Sequence, residues 1–200
     1  NFKTKKDMQV RYNIVEVKRF NRKRMDAFKK VISANGEKIL LHDSNFRKVK
    51  HVDDVVKMFV KLNAELPSKL LFVGDGPERP QIEMMCRQSA AHHDIRFLGK
   101  QDQMEDILAI SDVFVLPSEY ESFGLAALEA MAAAVPVIST NAGGLPEINV
   151  NGYSGFLSNV GDVDDMCKNA LIILSDEMKL NVFKENALQQ AMKFDLNNIV

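Results

Sequence analysis

Short apolar runs alternate along the chain with longer segments in which hydrophobic residues recur every three or four positions. The runs have the length of buried strands and lie at residues 38–42, 70–73, 95–98, 113–116 and 135–138, with a shorter one at 156–157. Helical periodicity is clearest between them, at residues 52–60, 82–86, 104–110, 163–174 and 177–192. Continuously apolar strands separated by helices are typical of a parallel sheet covered on both faces. The pattern therefore predicts an α/β fold.

The first 36 residues have a different pattern. Residues 1–30 contain a dense share of the lysines and arginines, and such a run of charge is usually a solvated face. Apolar residues recur at helical spacing between Met25 and Ile32, which predicts a short amphipathic helix over residues 24–33. We interpret residues 1–36 as a connecting segment and residues 37–200 as the domain.

The stretch after the fourth strand, residues 117–134, contains the strongest candidate chemistry. Its helix formers end before Pro136, so it predicts a strand, a short loop and a helix with Glu121 at the helix start and Glu129 two turns along. The amides expected to be free at the helix start belong to Ser122, Phe123, Gly124 and Leu125. Free amides at a helix start favour an anion such as phosphate.

A purely structural interpretation competes with this one. A glutamate in a first helical turn stabilises the helix dipole whether or not a ligand binds. Glu129 is harder to explain structurally, because it lies among alanines, Leu128 and Met131, where a carboxylate facing the sheet is costly without a partner.

Polar loops also follow the other predicted strands. In a parallel sheet these loops meet at one edge, beyond the carboxyl ends of the strands, where ligands bind. The loops span residues 44–51, 74–77, 99–102 and 141–147. Each is a weak signal by itself, since Gly-Asp-Gly-Pro is a common turn and Arg47 or Lys50 could be surface charge. Together with the glutamate loop they predict a binding site on one rim.

Composition narrows the function classes. The net charge of −1 argues against nucleic acid or an anionic membrane as the main partner. Cys86 and Cys167 form no CxxC pair, and His42, His51, His92 and His93 lack metal spacing with acidic partners, so we expect no metal site. Asp162–Asp165 is typical of a helix start. The absence of an apolar run of ~20 residues predicts no membrane span, and we expect a cytoplasmic protein.

Several of these motifs occur together, in the same order, in one known family. They are Gly74-Asp75-Gly76-Pro77, Phe97-Leu98-Gly99, Glu121-Ser122-Phe123-Gly124 with Glu129, Ala132 to Ile138, and Gly143-Gly144-Leu145-Pro146-Glu147. Over residues 38 to about 195 the chain resembles the donor-binding half of the retaining GT-B glycosyltransferases, whose signature is E-x7-E. The resemblance implies a Rossmann-like sheet that forms the carboxyl-terminal half of a GT-B fold. Ala134 stands where the family usually has glycine, which we expect to alter only a turn.

The resemblance also implies roles for individual residues. Glu129 would bind the ribose hydroxyls of a nucleotide sugar, and Glu121 would face the hexose and the reacting centre. Arg47 and Lys50 would neutralise the departing diphosphate, assisted by the amides of Phe123, Gly124 and Leu125. Ser122 and the glycine turn at Gly74 and Gly76 would complete the donor site, and Gly99, Lys100 and Gln101 would hold the base. These roles involve no metal ion or other cofactor.

A narrower resemblance concerns residues 44–50 and 99–102, which are similar to the family members that transfer N-acetylglucosamine to malate in bacillithiol synthesis. It implies UDP-N-acetylglucosamine as donor and L-malate as acceptor. Enzymes of this fold hold the acceptor mainly on an amino-terminal domain, which residues 1–36 are too few to form. We therefore expect these 200 residues to bind nucleotide without turnover. The alternatives are a regulatory module that binds nucleotide sugar without catalysis and a sugar-nucleotide epimerase of the same architecture.

Overall fold

The computed structural model describes residues 15–20 and 25–196, which form a six-stranded parallel sheet in the order β3-β2-β1-β4-β5-β6. The strands are β1 (Lys38–Ser44), β2 (Ser68–Gly74), β3 (Ile95–Gly99), β4 (Val113–Leu116), β5 (Val137–Thr140) and β6 (Gly155–Ser158). Each predicted strand is present, β4 with the predicted bounds. The predicted α/β class with a Rossmann-like parallel sheet is confirmed.

Helices cover both faces of the sheet. Their bounds are α1 (Val17–Phe20), α2 (Asp26–Ile32), α3 (Val52–Glu65), α4 (Arg79–Gln88), α5 (Met104–Ile110), α6 (Leu125–Ala132), α7 (Leu145–Ile148), α8 (Val163–Leu174) and α9 (Glu177–Met192). One buried cluster packs α5 and α6 on one face, and a second packs α3 and α8 on the other. None of these helices has the length and apolar character needed to cross a bilayer.

The amino-terminal segment packs onto the domain where it is described. Val15, Val17 and Phe20 are buried in the α6 face cluster, and Val15 bridges to Asp195 beyond α9. The predicted amphipathic helix is present as α2. The assignment of residues 1–36 as an interdomain connection stays a prediction, and many of its basic residues lie outside the described part of the chain.

Two local predictions were wrong. The central helix α6 begins at Leu125 rather than at Glu121. Gly124 has a φ of 88°, a left-handed backbone conformation, so the right-handed helix cannot include Gly124 or extend to the residues before it. The loop predicted over residues 141–147 contains the start of a short helix, α7, which begins at Leu145 with a proline in its first turn. Ala134 has a φ of 58°, in the left-handed region that glycine favours, so the departure from the family pattern lies at a turn.

Candidate functional site

A cleft of about 370 Å³ opens beyond the carboxyl ends of the strands. It lies where the chain order of the strands reverses, between β1 and β4, which is the usual ligand position in such sheets. The lining residues are Asp43, Ser44, Asn45, Lys50, Gly74, Asp75, Lys100, Leu116, Glu121 and Ala126. Four of the predicted site residues, Lys50, Gly74, Lys100 and Glu121, therefore meet in one cleft.

An ion pair joins the first loop to the glutamate loop inside this cleft. The Nζ of Lys50 lies 2.5 Å from Oε2 of Glu121, and both side chains are mostly buried, with 18% and 16% exposed. The hydroxyl of Ser118 is 3.4 Å from the same carboxylate oxygen. The backbone of Glu119 donates to the carbonyl of Val49 at 2.8 Å, which fastens the two loops beside the pair. A cation and a carboxylate are thus held together at the mouth of the cleft.

A buried histidine holds the first loop in place. His42 lies at the end of β1, and burial lowers its pKa to about 4, so the ring is neutral near pH 7. Its Nδ1 donates to the carbonyl of Val115 and its Nε2 accepts from the hydroxyl of Ser44, both at 2.8 Å. Ser44 in turn accepts from the amide of Phe46, whose φ is a left-handed 41°. The buried ring of Phe46 packs against both His42 and Phe72, which offsets the cost of that backbone.

Glycines let neighbouring loops approach the two loops that form the ion pair. A Cβ on Gly74, whose φ is 102°, would lie 1.9 Å from the carbonyl oxygen of Ser44. A Cβ on Gly143 would lie equally close to the carbonyl oxygen of Glu121. That carbonyl oxygen accepts a hydrogen bond from the amide of Gly144 at 2.8 Å. A side chain at either position would displace the loop that carries Lys50 or Glu121.

Two acidic residues beside the cleft have raised pKa values. Burial raises the pKa of Asp43 to about 6, although the Lys50 ammonium opposes the shift. Burial also raises the pKa of Glu129, the Asp43 carboxylate adds to this, and the Arg19 guanidinium opposes it. Arg19 is held 2.6 Å from Glu105 by its Nε. Asp43 was missed by the sequence analysis, although an acidic residue directly after a buried run at a strand's carboxyl end was the available signal.

The remaining predicted residues do not line the cleft. Arg47 is exposed, and Gln101 donates from its side chain to the carbonyl of Leu98 at 2.6 Å, within the turn that contains Gly99. Gly76 packs against the carbonyl of Asn45. Ser122, Phe123 and Gly124 precede α6, so the prediction that Ser122 and Phe123 belong to its first turn was wrong. The ring of Phe123 instead contacts that of Phe194 at 6.0 Å between centroids.

The later start of α6 changes which amides are free. The helix has no side-chain cap, and its first amides, from Leu125 to Ala127, have no intrahelical carbonyl to bind. Ala126 of this turn lines the cleft. Glu121 lies four residues before the helix, so the prediction that Glu121 and Glu129 stand two turns apart on one helix was wrong.

Two features lie away from this cleft. A larger cavity of about 790 Å³ is lined by α3, α8 and the start of α9, with Lys61, Cys167 and Leu171 among its residues and none of the predicted ones. His51, Asp53 and Asp54 place metal-ligand atoms within 4.8 Å of one another, which corrects the expectation that His51 lacks acidic partners at metal spacing. The ammonium of Lys57 lies 2.6 Å from Asp53 and 2.8 Å from Asp54 and pairs with both carboxylates.

A parallel sheet with helices on both faces and a polar cleft at its switch point is the architecture of a Rossmann-like nucleotide-binding domain. The family described as "Glycosyl transferases group 1" matches residues 23–190. The chain belongs to this family.

Relatives and solved structures agree with that assignment. The chain is 45% identical over 176 residues to the N-acetyl-alpha-D-glucosaminyl L-malate synthase of Bacillus anthracis, covering 88% of this chain and 46% of that protein. The sucrose-phosphate synthase of Thermosynechococcus elongatus is 26% identical with a TM-score of 0.82, covering 93% of this chain and 48% of that chain. Anabaena Alr3699/HepE in complex with UDP shares the fold at 21% identity, with a TM-score of 0.86 and coverage of 94% and 54%. The chain thus spans about half the length of these proteins, and the predicted GT-B fold half is confirmed.

Proposed function

We propose that this chain is the donor-binding part of a retaining glycosyltransferase that moves N-acetylglucosamine from UDP to L-malate. The observation that supports the site most is the meeting of Lys50, Glu121, Gly74 and Lys100 in one cleft at the switch point. The donor and acceptor are supported by the 45% identity to a malate synthase of this kind. The similarly folded HepE, crystallised in complex with UDP, supports a uridine nucleotide.

The proposed chemistry uses fixed charge. As the bond between sugar and diphosphate breaks, negative charge develops on the phosphate oxygens, and groups already aligned there lower the barrier. Lys50 would supply that charge by exchanging part of its contact with Glu121 for a phosphate oxygen, with Arg47 and the first amides of α6 assisting. Glu121 would then turn to the hexose, and Glu129 would accept from the ribose hydroxyls. Because these groups supply the positive charge, the proposal involves no metal ion.

Calorimetric titration of the 200-residue chain with UDP, ADP and GDP, followed by UDP-sugars, tests the proposal. We expect UDP to bind more tightly than ADP or GDP, and UDP-N-acetylglucosamine to bind as a donor. Absence of UDP binding in a sample shown to be folded would contradict the donor site.

We also propose that the chain alone does not transfer sugar to malate. Holding both reactants together lowers a barrier by ~7 to 11 kcal/mol, and the acceptor in the proposed reaction would bind mainly to a part of the enzyme outside these residues. Mass-spectrometric detection of N-acetylglucosaminyl-malate made by this chain would show that the acceptor site lies within it.

A further inference from the structure

Asp43 is an acidic residue in the cleft that the proposed donor chemistry does not use. It lines the cleft beside Ser44 and Asn45, and most of its surface is buried. Within residues 15–20 and 25–196, no hydrogen bond or ion pair reaches its carboxylate. The other carboxylates of the lining have partners: Glu121 has Lys50 at 2.5 Å, and Asp75 accepts from the amide of Gly76 at 2.9 Å.

The charge of the cleft does not suit its proposed ligand. Three carboxylates, those of Asp43, Asp75 and Glu121, line it together with the two ammonium groups of Lys50 and Lys100. With these five groups ionised the lining has a formal charge of −1, and Arg79, whose Nη1 lies 3.7 Å from Asp75, offsets that carboxylate rather than Asp43. A nucleotide sugar would bring an anionic diphosphate beside the remaining Asp43 carboxylate. Bringing that anion beside a buried carboxylate raises the free energy unless the carboxylate is neutralised, because like charges disfavour the ionised form.

We propose that the nucleotide sugar binds to this cleft together with one proton, which is taken from solvent onto the carboxylate of Asp43. The inference rests on the proposed function, since it requires the diphosphate to occupy this cleft. Protonation removes one negative charge and turns Asp43 into a hydrogen-bond donor, so that its O–H can reach a phosphate or sugar oxygen. The pKa of Asp43, already near 6 without ligand, makes this uptake accessible close to neutral pH.

The groups that face Asp43 come from several elements. Lys50, Glu121, Asp75 and Lys100 line the same cleft from the surrounding loops, with Arg79 beside Asp75. Lys50 acts electrostatically on Asp43, which in turn acts on Glu129 of α6. Arg19 and Glu105 act on Glu129 from α1 and α5. His42 precedes Asp43 but is neutral over the same pH range, with both ring nitrogens bonded. Among the described residues, Lys50 is the cation that favours the ionised form of Asp43, whereas Arg19 has that effect on Glu129.

Calorimetry with UDP-N-acetylglucosamine in buffers of different ionisation enthalpy measures the proton directly. This probe is suitable because each of its phosphates is substituted on two oxygens, by one ester and by the shared anhydride, and so does not titrate near neutrality. At pH 7 we expect uptake of about half a proton or more per bound ligand, and affinity that falls by up to about tenfold per pH unit between pH 6 and 8. Asp43→Asn should bind with no uptake and with nearly constant affinity over that range.

The outcomes separate the two proposals. Asp75→Asn is the matched control, because it removes a partnered carboxylate from the same cleft and should leave proton uptake in place. Binding by the unaltered chain without proton uptake overturns the inference and leaves the proposed function standing. Uptake that persists in Asp43→Asn, shown to be folded by circular dichroism, assigns the proton to another group and also overturns it. Failure of the unaltered chain to bind at pH 6 removes both proposals.

Discussion

The two ends of the sheet place aspartates in opposite environments. At the amino end, Asp112 precedes β4 and accepts from the ammonium of Lys29 at 2.7 and 2.9 Å, from that of Lys184 at 3.1 Å and from the amide of Ile39 at 2.9 Å. At the carboxyl end, four residues along β1 from Ile39, Asp43 lines the cleft with no such partner among the described residues. Burial acts to raise the pKa of both carboxyls. The pKa of Asp43 is raised as a result, whereas at Asp112 the two lysines outweigh burial and the pKa is lowered.

This difference separates a carboxylate that stabilises the fold from one that lies ready for a ligand. Asp112 joins α2, α9 and β1, so its ionised form is supported by neighbours that the fold itself supplies. Burial and the mutual repulsion of the two carboxylates both disfavour the ionised forms of Asp43 and Glu129, so ionising them costs free energy in the absence of a ligand. Functional sites are where such cost is usually found.

The largest effect is expected at the structural aspartate. Asp112→Ala removes the buried carboxylate that binds Lys29, Lys184 and the amide of Ile39, and it should lower the free energy of unfolding by about 3 to 5 kcal/mol, measured by urea unfolding at pH 7. Because its folded pKa is lowered, its contribution is present above the unfolded value of about 4 and is lost as the pH falls through the folded one. The variant should therefore lose less stability than the unaltered chain on acidification below pH 4.

The exposed Asp102 provides the control for this prediction. Asp102→Ala should change the free energy of unfolding by less than about 0.5 kcal/mol. Equal stability of the Asp112 and Asp102 variants would contradict a structural role for the amino end.

A binding effect is expected next, at Glu129. Glu129→Gln removes the ionised acceptor proposed for the ribose hydroxyls and should weaken UDP binding by ~1.5 to 3 kcal/mol, measured by calorimetry. Its stability should not fall, because its raised pKa means that the ionised form is disfavoured in the fold. Glu119→Gln, at a side chain that is 66% exposed on the same loop as Glu121, is the control. Unchanged UDP affinity in the Glu129 variant would contradict the ribose role.

The smallest effect is expected at Asp43, and it has the opposite sign to that at Asp112. Because its folded pKa of about 6 exceeds the unfolded value of about 4, its contribution to stability is present below pH 4 and is lost as the pH rises through 6. Asp43→Asn should therefore gain about 1 to 3 kcal/mol in the free energy of unfolding at pH 7.5 and little at pH 4. A loss of stability at pH 7.5 would show that the fold does depend on this carboxylate.

Most of the fold could be predicted from hydrophobic periodicity, because most strands and long helices bury a continuous or periodic apolar face. The helices α5, α8 and α9 have the predicted bounds for this reason. The start of α6 could not be predicted in this way, since it depends on the left-handed backbone of Gly124, packed against Leu145 and Ile148 from a distant part of the sequence. The turn at Gly143, which fits against Glu121, is equally non-local.

Part of the site could be predicted from sequence motifs together with the topology of the sheet. Lys50 and Glu121 belong to motifs that a sequence displays, and the topology of a parallel sheet brings their loops to one edge. Asp43 follows its apolar run and Asp112 precedes one, but nothing local shows which of the two carboxylates has partners. Their difference comes from Lys29 and Lys184, which are distant in sequence from Asp112 and reach it only in the folded chain.

Mapping the ligand on the folded chain tests most directly whether the carboxyl end of the sheet is the nucleotide-sugar site. Two-dimensional NMR of the ¹⁵N-labelled chain, titrated with UDP-N-acetylglucosamine at pH 6.5, gives a backbone amide signal for each residue. Residues at the two ends of the sheet can therefore be followed separately. We predict the largest shifts at Asp43, Gly74, Glu121 and Leu125, and unchanged signals at Ile39 and Asp112. Shifts concentrated along the cavity between α3 and α8, or at the amino end of the strands, would contradict this placement of the site.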